Sequence, residues 1–163
     1  MGDLIGKSVK RVEDNRLLKG EGKYTDDFNM PNQTFAVYVR SPHAHANLVS
    51  VGISAAKAMD GVINVFTGKD IKDAGIVGSI CGWQVDFKNG DTMKEPGHPI
   101  LAVDKVRHVG DAVALVIAED IGKAKDAAGA VEVNYKVLDA IVDPKAAAQD
   151  GAPQVHDDVP NNT

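Results

Sequence analysis

Cysteine is nearly absent from this chain, because Cys81 is its single cysteine among 163 residues. One cysteine excludes an internal disulfide and fits a reducing compartment. Long apolar runs are also missing, since the apolar stretch at 113–118 is far too short to cross a bilayer. The first residues lack the basic-then-apolar pattern of a secretory signal. Together these absences predict a soluble, cytoplasmic protein with no membrane partner.

Aromatic residues and positive charge are scarce as well. Aromatics make up 5% of the chain, so its core must be built mainly from Val, Ile, Leu and Ala. The formal net charge is −5, whereas a broad nucleic-acid surface shows a basic excess. The chain has 44% hydrophobic and 25% charged residues, which is typical of an ordinary globular protein. Its length suits one domain with a proper core.

The first half of the chain is dominated by strand patterns. Residues 35–40 are rich in β-branched and aromatic side chains, and apolar residues alternate with others along 47–54. A third strand is predicted at 62–66. Between the second and third strands, Ser54 is expected to cap a short helix that stops at Gly61.

Strands and helices alternate in the second half. Residues 113–118 predict a buried strand, and Asp120 is expected to cap a helix at 121–130. Further elements are predicted as strands at 105–109, 131–135 and 140–142 and as a helix at 145–149. These patterns place the chain in the α/β class, with a mixed sheet and short helices.

Residues 75–99 follow neither a strand nor a helix period. The segment contains five glycines and two prolines. A stretch of this length without regular structure, inside a compact domain, is usually functional or serves for docking.

Two histidines lie where the first strand ends, in Arg40-Ser-Pro-His-Ala-His-Ala46. If this segment is extended, His43 and His45 point to the same side and could hold a zinc or copper ion. A catalytic zinc usually takes three protein ligands and a structural zinc four, and no further histidine has partner spacing. The alternative is a structural corner, in which the imidazoles bond backbone groups with support from Arg40.

Other candidate groups give weaker signals. Cys81 has no Cys-x-x-Cys partner and nothing nearby that marks a lowered pKa. The adjacent acids Asp26 and Asp27 face opposite ways in an extended chain, so they do not suit paired acid–base chemistry. No nucleophile, base and carboxylate can be assembled. Taken residue by residue, the sequence predicts one domain without a self-sufficient active site.

Several segments together resemble a known family. They are Gly6-Lys-Ser-Val-Lys-Arg-Val-Glu-Asp14, Gly20-Glu-Gly-Lys-Tyr-Thr-Asp-Asp27, Arg40-Ser-Pro-His-Ala-His-Ala46, Pro99-Ile-Leu-Ala102, Lys105-Val-Arg-His-Val-Gly-Asp-Ala-Val-Ala114 and Val131-Glu-Val-Asn-Tyr135. In this order they are similar to the start of a molybdenum hydroxylase large subunit, of the xanthine dehydrogenase, aldehyde oxidase and carbon monoxide dehydrogenase group. One departure is Asp111-Ala112, where the family commonly has Glu-Pro.

The resemblance implies the α/β-hammerhead fold. It also implies an N-terminal extension at 1–22 that packs on the rest of the subunit, a hammerhead domain at 23–150, and a linker at 151–163. That linker would lead towards a molybdopterin-binding region beyond this sequence. No catalytic, cofactor-binding or metal-binding residue of the family has a matching position here. By analogy, Trp83 and Phe87 of the 75–99 segment are candidates for lining the substrate funnel.

The function implied by the resemblance is that of a scaffold domain. The whole enzyme would be a molybdopterin-dependent oxidoreductase that hydroxylates an aldehyde or heteroaromatic substrate, or oxidises carbon monoxide. The chain alone would be inactive and bind no cofactor. Its expected partners are the molybdopterin-binding remainder of the large subunit, an iron–sulfur subunit and a flavin subunit carrying FAD. The alternative from another class is a stand-alone binding module with a metal or ligand at His43 and His45.

Overall fold

The structure is a computed structural model that describes residues 5–163. Residues 1–4, which begin the predicted extension at 1–22, lie outside this range. The chain divides into two compact units, residues 1–33 and residues 34–163.

The described part of the first unit, residues 5–33, contains two short helical segments. Helix α1 covers Asp14–Leu18, and a 3-10 turn follows at Thr25–Asp27. The backbone N–H of Tyr24 donates to the carboxylate of Asp27 over 2.8 Å. This contact closes the 3-10 turn.

The second unit holds six strands and four α-helices. The strands are β1 (Phe35–Arg40), β2 (Ala46–Gly52), β3 (Val62–Thr67), β4 (Lys105–Val106), β5 (Ala112–Ala118) and β6 (Glu132–Val137). The helices are α2 (Ser54–Lys57), α3 (Gly68–Asp73), α4 (Ile121–Gly129) and α5 (Pro144–Ala147). A final 3-10 turn covers Pro160–Asn162. None of the helices in the described part of the chain has the length and hydrophobicity needed to span a bilayer.

The strands form two antiparallel three-stranded sheets. One has the order β1-β5-β3 and the other the order β4-β2-β6. In the first sheet Tyr38 and Phe66 both lie opposite Leu115 of the central strand. In the second, Leu48 lies opposite Tyr135. The predicted α/β class with short helices is confirmed.

Side-chain caps explain where two of the helices begin. Asp120 accepts a hydrogen bond from the N–H of Lys123 over 2.8 Å, which confirms the predicted cap of α4. Asp143 accepts from the N–H of Ala146 over 2.7 Å at the start of α5. The predicted cap at Ser54 is wrong, because Ser54 is already the first residue of α2 and follows Ile53 as the cap.

Two hydrophobic cores lie on opposite faces of β5. Val116 packs on one face with Val65 of β3, Ala56 of α2 and Ala127 of α4. Val113, an odd number of positions away along the strand, packs on the other face. Its neighbours in the second core are Ala46, Ala102 and Val106, with Leu48, Val51, Val133 and Tyr135 at the margin. Strand β5 therefore contributes side chains to both cores, because successive side chains of a strand point to opposite faces.

Two predicted strands differ from the structure. The segment 140–142 does not form a strand. The carbonyl of the preceding Asp139 accepts from the His45 ring and not from a neighbouring strand, and Val142 is 91% exposed. The strand predicted at 105–109 ends at Val106. The N–H of Arg107 donates to the carboxylate of Asp111 over 3.0 Å, which turns the chain towards β5.

Candidate functional site

The corner after β1 is held by backbone hydrogen bonds to the turn before β5. The N–H of Ser41 donates to the carbonyl of Asp111, and the N–H of Gly110 donates to the carbonyl of Ser41, both over 2.8 Å. Arg40 adds its Nη1, which donates to the carbonyl of Gly110 over 2.8 Å. Ser41 is 2% exposed, and its hydroxyl accepts from the N–H of His43 over 3.0 Å. The corner is therefore rigid, and Arg40 supports the turn rather than an imidazole.

His45 is held by a contact far along the chain. Its side chain is buried at 6% exposure, and its Nδ1 lies 2.8 Å from the carbonyl oxygen of Asp139. The carbonyl of His45 accepts in turn from the N–H of Leu138 over 2.9 Å. The other ring nitrogen, Nε2, is buried and has no hydrogen-bond partner among residues 5–163.

His43 has a different neighbour. Its ring meets the ring of Tyr135 edge-on, with centroids 4.9 Å apart and planes at 69°. Burial is the main cause that raises the pKa of Tyr135 above its ordinary value, and a hydrogen bond with Ser41 partly opposes this. The structure thus gives the two imidazoles separate contacts, one on β6 and one on the segment that follows it. Among residues 5–163, no group of three or more His, Cys, Asp and Glu side chains could hold a metal ion.

A small cavity lies beside His45. Its volume is about 230 Å³, and its polar wall is formed by His45, Arg107 and His108. The rest of the wall is aliphatic and includes Val109 and Val142. His45 is therefore one of three polar residues in the wall of a mostly apolar cavity.

Three histidines without partner spacing in the sequence also lie near one another. The rings of His98 and His108 stack with centroids 6.3 Å apart. His156 has its pKa lowered below the ordinary value, first by burial and then by the charge of Arg107, with a smaller contribution from His98. The common neighbour of this group is Arg107, which no local sequence signal marked.

The irregular 75–99 segment forms a folded excursion. Two isolated bridges, Ser79 with His98 and Asp86 with Thr92, join its outgoing and returning arms. Glu95 links the arms again, because its two carboxylate oxygens accept from the N–H of Cys81 over 2.6 Å and from Nε2 of Gln84 over 2.8 Å. The absence of a helix or strand period was thus a correct signal for an excursion.

Gly78 allows the two arms to approach closely. A Cβ at this position would lie 1.8 Å from the carbonyl oxygen of His98, which only a glycine avoids. Next to this approach, a cavity of about 550 Å³ lies between α3 and the excursion, with Ile71, Ile76 and Pro99 in its wall. Sequence reasoning missed this cavity, although Gly78 and Pro99 were its signals.

The two candidate funnel residues occupy different surroundings on the excursion. Trp83 is 79% exposed, and Phe87 is 53% exposed. Phe87 lines a cavity of about 400 Å³ together with Met93 and Val159, whereas Trp83 does not line it. Cys81 is also exposed, and its Sγ lies 3.1 Å from the carbonyl oxygen of Trp83.

The C-terminal residues 151–163 pack on other parts of the second unit. Lys105, whose side chain is 12% exposed, pairs with the carboxylate of Asp157 over 2.8 Å. Asn162 donates to the carbonyls of Ala147 and Pro153 over 3.0 Å, and Val159 is 8% exposed. The predicted linker segment thus includes residues that are part of the folded unit.

Comparison with known proteins identifies similar chains. The family described as aldehyde oxidase and xanthine dehydrogenase, a/b hammerhead domain, matches residues 19–139. The nicotine 6-hydroxylase large subunit of Paenarthrobacter nicotinovorans is 40% identical over 98% of this chain and 19% of the relative. The carbon monoxide dehydrogenase large chain of Afipia carboxidovorans is 37% identical over 95% of this chain and 18% of the relative.

A solved structure gives the same result for the fold. Quinoline 2-oxidoreductase from Pseudomonas putida 86 aligns with a TM-score of 0.77 and 35% identity, over 96% of this chain and 19% of that one. The chain therefore spans about a fifth of the length of the relatives that it matches.

Proposed function

Because the chain belongs to the a/b hammerhead domain family of aldehyde oxidase and xanthine dehydrogenase, we propose that it is the scaffold domain of a molybdenum-dependent oxidoreductase. The observation that carries this proposal is the match of almost the whole chain to one-fifth of several large subunits. Another relative is a molybdenum protein by its name, the xanthine dehydrogenase molybdenum-binding subunit of Escherichia coli O157:H7.

The scaffold role is supported by the chemistry of the residues present. Iron–sulfur clusters are held by several cysteine thiolates, and the sequence has Cys81 alone. The described residues 5–163 also offer no group of three side chains for a metal ion. The residues present therefore fit neither an iron–sulfur cluster nor a site for a single metal ion. We therefore assign molybdopterin to the remainder of the large subunit, and iron–sulfur clusters and FAD to partner domains or subunits.

The proposed reaction of the whole enzyme is oxidation of a small substrate. The named relatives act on nicotine, quinoline, xanthine and carbon monoxide. We propose the corresponding class for the assembled enzyme: hydroxylation of an aldehyde or heteroaromatic compound, or oxidation of carbon monoxide. In this arrangement residues 1–22 pack on the rest of the subunit, and residues 151–163 lead from the 23–150 domain towards the molybdopterin-binding region.

Loading of the assembled enzyme tests the scaffold role. The 163-residue chain is expressed alone and together with the remaining domains and subunits encoded beside it, and molybdenum content and substrate-dependent dye reduction are measured. We expect molybdenum and activity only in the assembled protein. Activity of the chain alone would contradict the proposal, as would an assembly that contains this chain and no molybdenum.

The 75–99 excursion is the proposed contact of this domain with the substrate funnel. Support comes from its exposed aromatic rings, Trp83 and Phe87, because exposed apolar patches mark sites for a partner or a ligand. The test is the double variant Trp83→Ala with Phe87→Ala in the assembled enzyme, assayed with a small and a bulky substrate. We expect the ratio of the two kcat/KM values to change. Ile80→Ala is the matched control, because Ile80 is 82% exposed on the same excursion.

An unchanged kcat/KM ratio in the double variant would remove the funnel from the proposal and leave the scaffold role in place. An equal change in the Ile80→Ala control would show that any apolar loss on this excursion has the same effect.

A metal at His43 and His45 remains the alternative from another class. The separate contacts of the two rings, with Tyr135 and Asp139, count against it. Metal analysis of the 163-residue chain decides the matter, because stoichiometric zinc or copper that is lost in His43→Ala and His45→Ala would favour a binding module.

A further inference from the structure

The tip of the 75–99 excursion, residues 86–92, contains the single Asn-Gly pair of the sequence, Asn89-Gly90. Both residues are exposed. In such a pair the backbone nitrogen of the glycine can approach the side-chain carbonyl carbon of the asparagine, because glycine has no side chain that would hinder it. Every other asparagine of the chain precedes a residue with a side chain. The sequence therefore singles out Asn89 for a reaction with its own backbone.

Asp91 holds the side-chain amide of Asn89 at both ends. Its backbone N–H donates to Oδ1 of Asn89 over 3.1 Å, and its carboxylate accepts from Nδ2 of Asn89 over 2.6 Å. The donor at Oδ1 favours attack on the amide carbon, because negative charge develops on that oxygen when a nucleophile adds. The bond at Nδ2 restrains the side chain as long as the tip is closed.

The backbone of the closed tip also restrains the attacking nitrogen. The N–H of Gly90 donates to the carbonyl of Phe87 over 2.9 Å, and the N–H of Phe87 donates to the carbonyl of Asp91 over 2.8 Å. The hydroxyl of Thr92 adds a bond to the carboxylate of Asp86 over 3.0 Å. Residues 86–92 are all exposed, so water competes for these bonds and the tip can open without unfolding of the cores.

We propose that Asn89 is a deamidation site and that opening of the tip limits its reaction. The backbone nitrogen of Gly90 gives its proton to water and attacks the side-chain carbonyl carbon of Asn89. A C–N bond forms, the bond from this carbon to Nδ2 breaks, and ammonia leaves with a proton from water. A water molecule then opens the cyclic imide at one of its two carbonyls, which gives aspartate or isoaspartate. Nothing is oxidised or reduced in either step.

The products cannot restore the closed tip. Aspartate has an oxygen in place of Nδ2, so it has no donor for the carboxylate of Asp91 and repels it instead. Isoaspartate also adds a methylene group to the main chain before Gly90, which disrupts the turn from Phe87 to Gly90. Deamidation of Asn89 is therefore a one-way opening of the tip.

Peptide mapping by mass spectrometry tests the site in the assembled enzyme at mildly alkaline pH. We expect the peptide that contains Asn89 to gain the mass difference between NH₂ and OH with time, as a mixture of aspartate and isoaspartate. Asn32 is the internal reference, because it is also exposed but precedes Gln33. Conversion of Asn89 no faster than that of Asn32 would overturn the proposal.

A synthetic peptide of residues 84–95 supplies the rate without the closed tip. Deamidation should be severalfold faster in the peptide than in the enzyme, and an equal rate would refute the limiting role of tip opening. Gly90→Ala in the peptide tests the cyclisation, because the methyl group hinders the attacking nitrogen. We expect this variant to react severalfold more slowly. The parent rate would indicate direct hydrolysis of the amide and would overturn the mechanism.

Asp91→Ala tests the restraint in the enzyme itself. It removes the carboxylate that holds Nδ2 of Asn89 and keeps the backbone N–H that bonds Oδ1, so deamidation should be faster than in the parent. Lys88→Ala is the matched control, because Lys88 is exposed in the same turn and its side chain takes no part in these bonds. The control should keep the parent rate. A slower reaction in Asp91→Ala, or equal rates in both variants, would overturn the proposed restraint.

Asn89→Asp tests the consequence for the tip. Amide hydrogen exchange of Phe87, whose N–H bonds the Asp91 carbonyl, should be faster than in the parent, while that of Val116 in the core stays slow. Unchanged exchange at Phe87 would show that the tip closes again after deamidation and would overturn the one-way opening.

Discussion

Substitution of Gly68 by alanine is expected to destabilise the second unit, although alanine is the better helix former. Gly68 is the first residue of α3, where the helix propensity of alanine would favour the variant by up to about 1 kcal/mol. Its Cβ, however, would lie 2.2 Å from the carbonyl oxygen of Ala102. Overpacking of this kind costs about 1–3 kcal/mol.

The backbone at Ala102 cannot move away easily. Ala102 is 4% exposed, and its N–H donates to the carbonyl of Ala112 in β5 over 2.7 Å. We therefore expect the clash to exceed the gain in helix propensity, with a net loss in the free energy of unfolding of up to about 2 kcal/mol. For a chain of this size, each kcal/mol lowers Tm by about 2–4 °C.

Urea unfolding followed by circular dichroism measures the difference. The midpoint should fall without a change in the slope m. Gly129→Ala is the matched control, because Gly129 is exposed at the end of α4 and its Cβ would meet no atom within 4 Å. The control should be as stable as the parent or more stable. If Gly68→Ala behaved like the control, the close approach of α3 to Ala102 would not constrain the fold.

Two further predictions concern charged groups on the same unit. Hydrogen bonds from Thr67, first from its hydroxyl, lower the pKa of Asp70 below its ordinary value of 3.8. The stability that Asp70 confers is therefore present above the unfolded pKa and is lost as the pH falls through the lower folded pKa. The urea midpoint of Asp70→Asn should depend less on pH between about 4 and 2 than that of the parent protein. Equal pH profiles of the two proteins would contradict this prediction. Asp157→Asn removes the charge paired with Lys105, so amide hydrogen exchange of Val159 should become faster, while that of Val116 in the core stays slow. Unchanged exchange at Val159 would show that this ion pair does not hold the C-terminal segment in place.

Much of the local structure was predictable from the sequence. Strands β1 and β5 are rich in β-branched residues, as strands usually are. Asp120 marks the start of α4 because a carboxylate can accept from a free N–H of the first turn. The extended pattern at 140–142 misled, because alternation shows that a segment suits a strand and not that a partner strand is present.

The candidate site was less accessible to sequence reasoning. The spacing of His43 and His45 drew attention to the corner, but the partner of His45 is a carbonyl 94 residues further along the chain. The stack of His98 on His108 has no sequence pattern either. Such contacts depend on how the strands are ordered in the sheets, and residue spacing does not encode that order.

The strand order also has a consequence for synthesis on the ribosome. In both sheets each strand pairs with one distant in sequence, as the bond between Asn134 and Ser50, 84 residues apart, illustrates. Strands β1 and β3 both wait for β5, and most of β2 waits for β6. The first hundred residues therefore leave the ribosome before any of the six strands β1–β6 can pair. Contacts of this range make folding slow, so the nascent chain offers a long interval in which a chaperone can bind it.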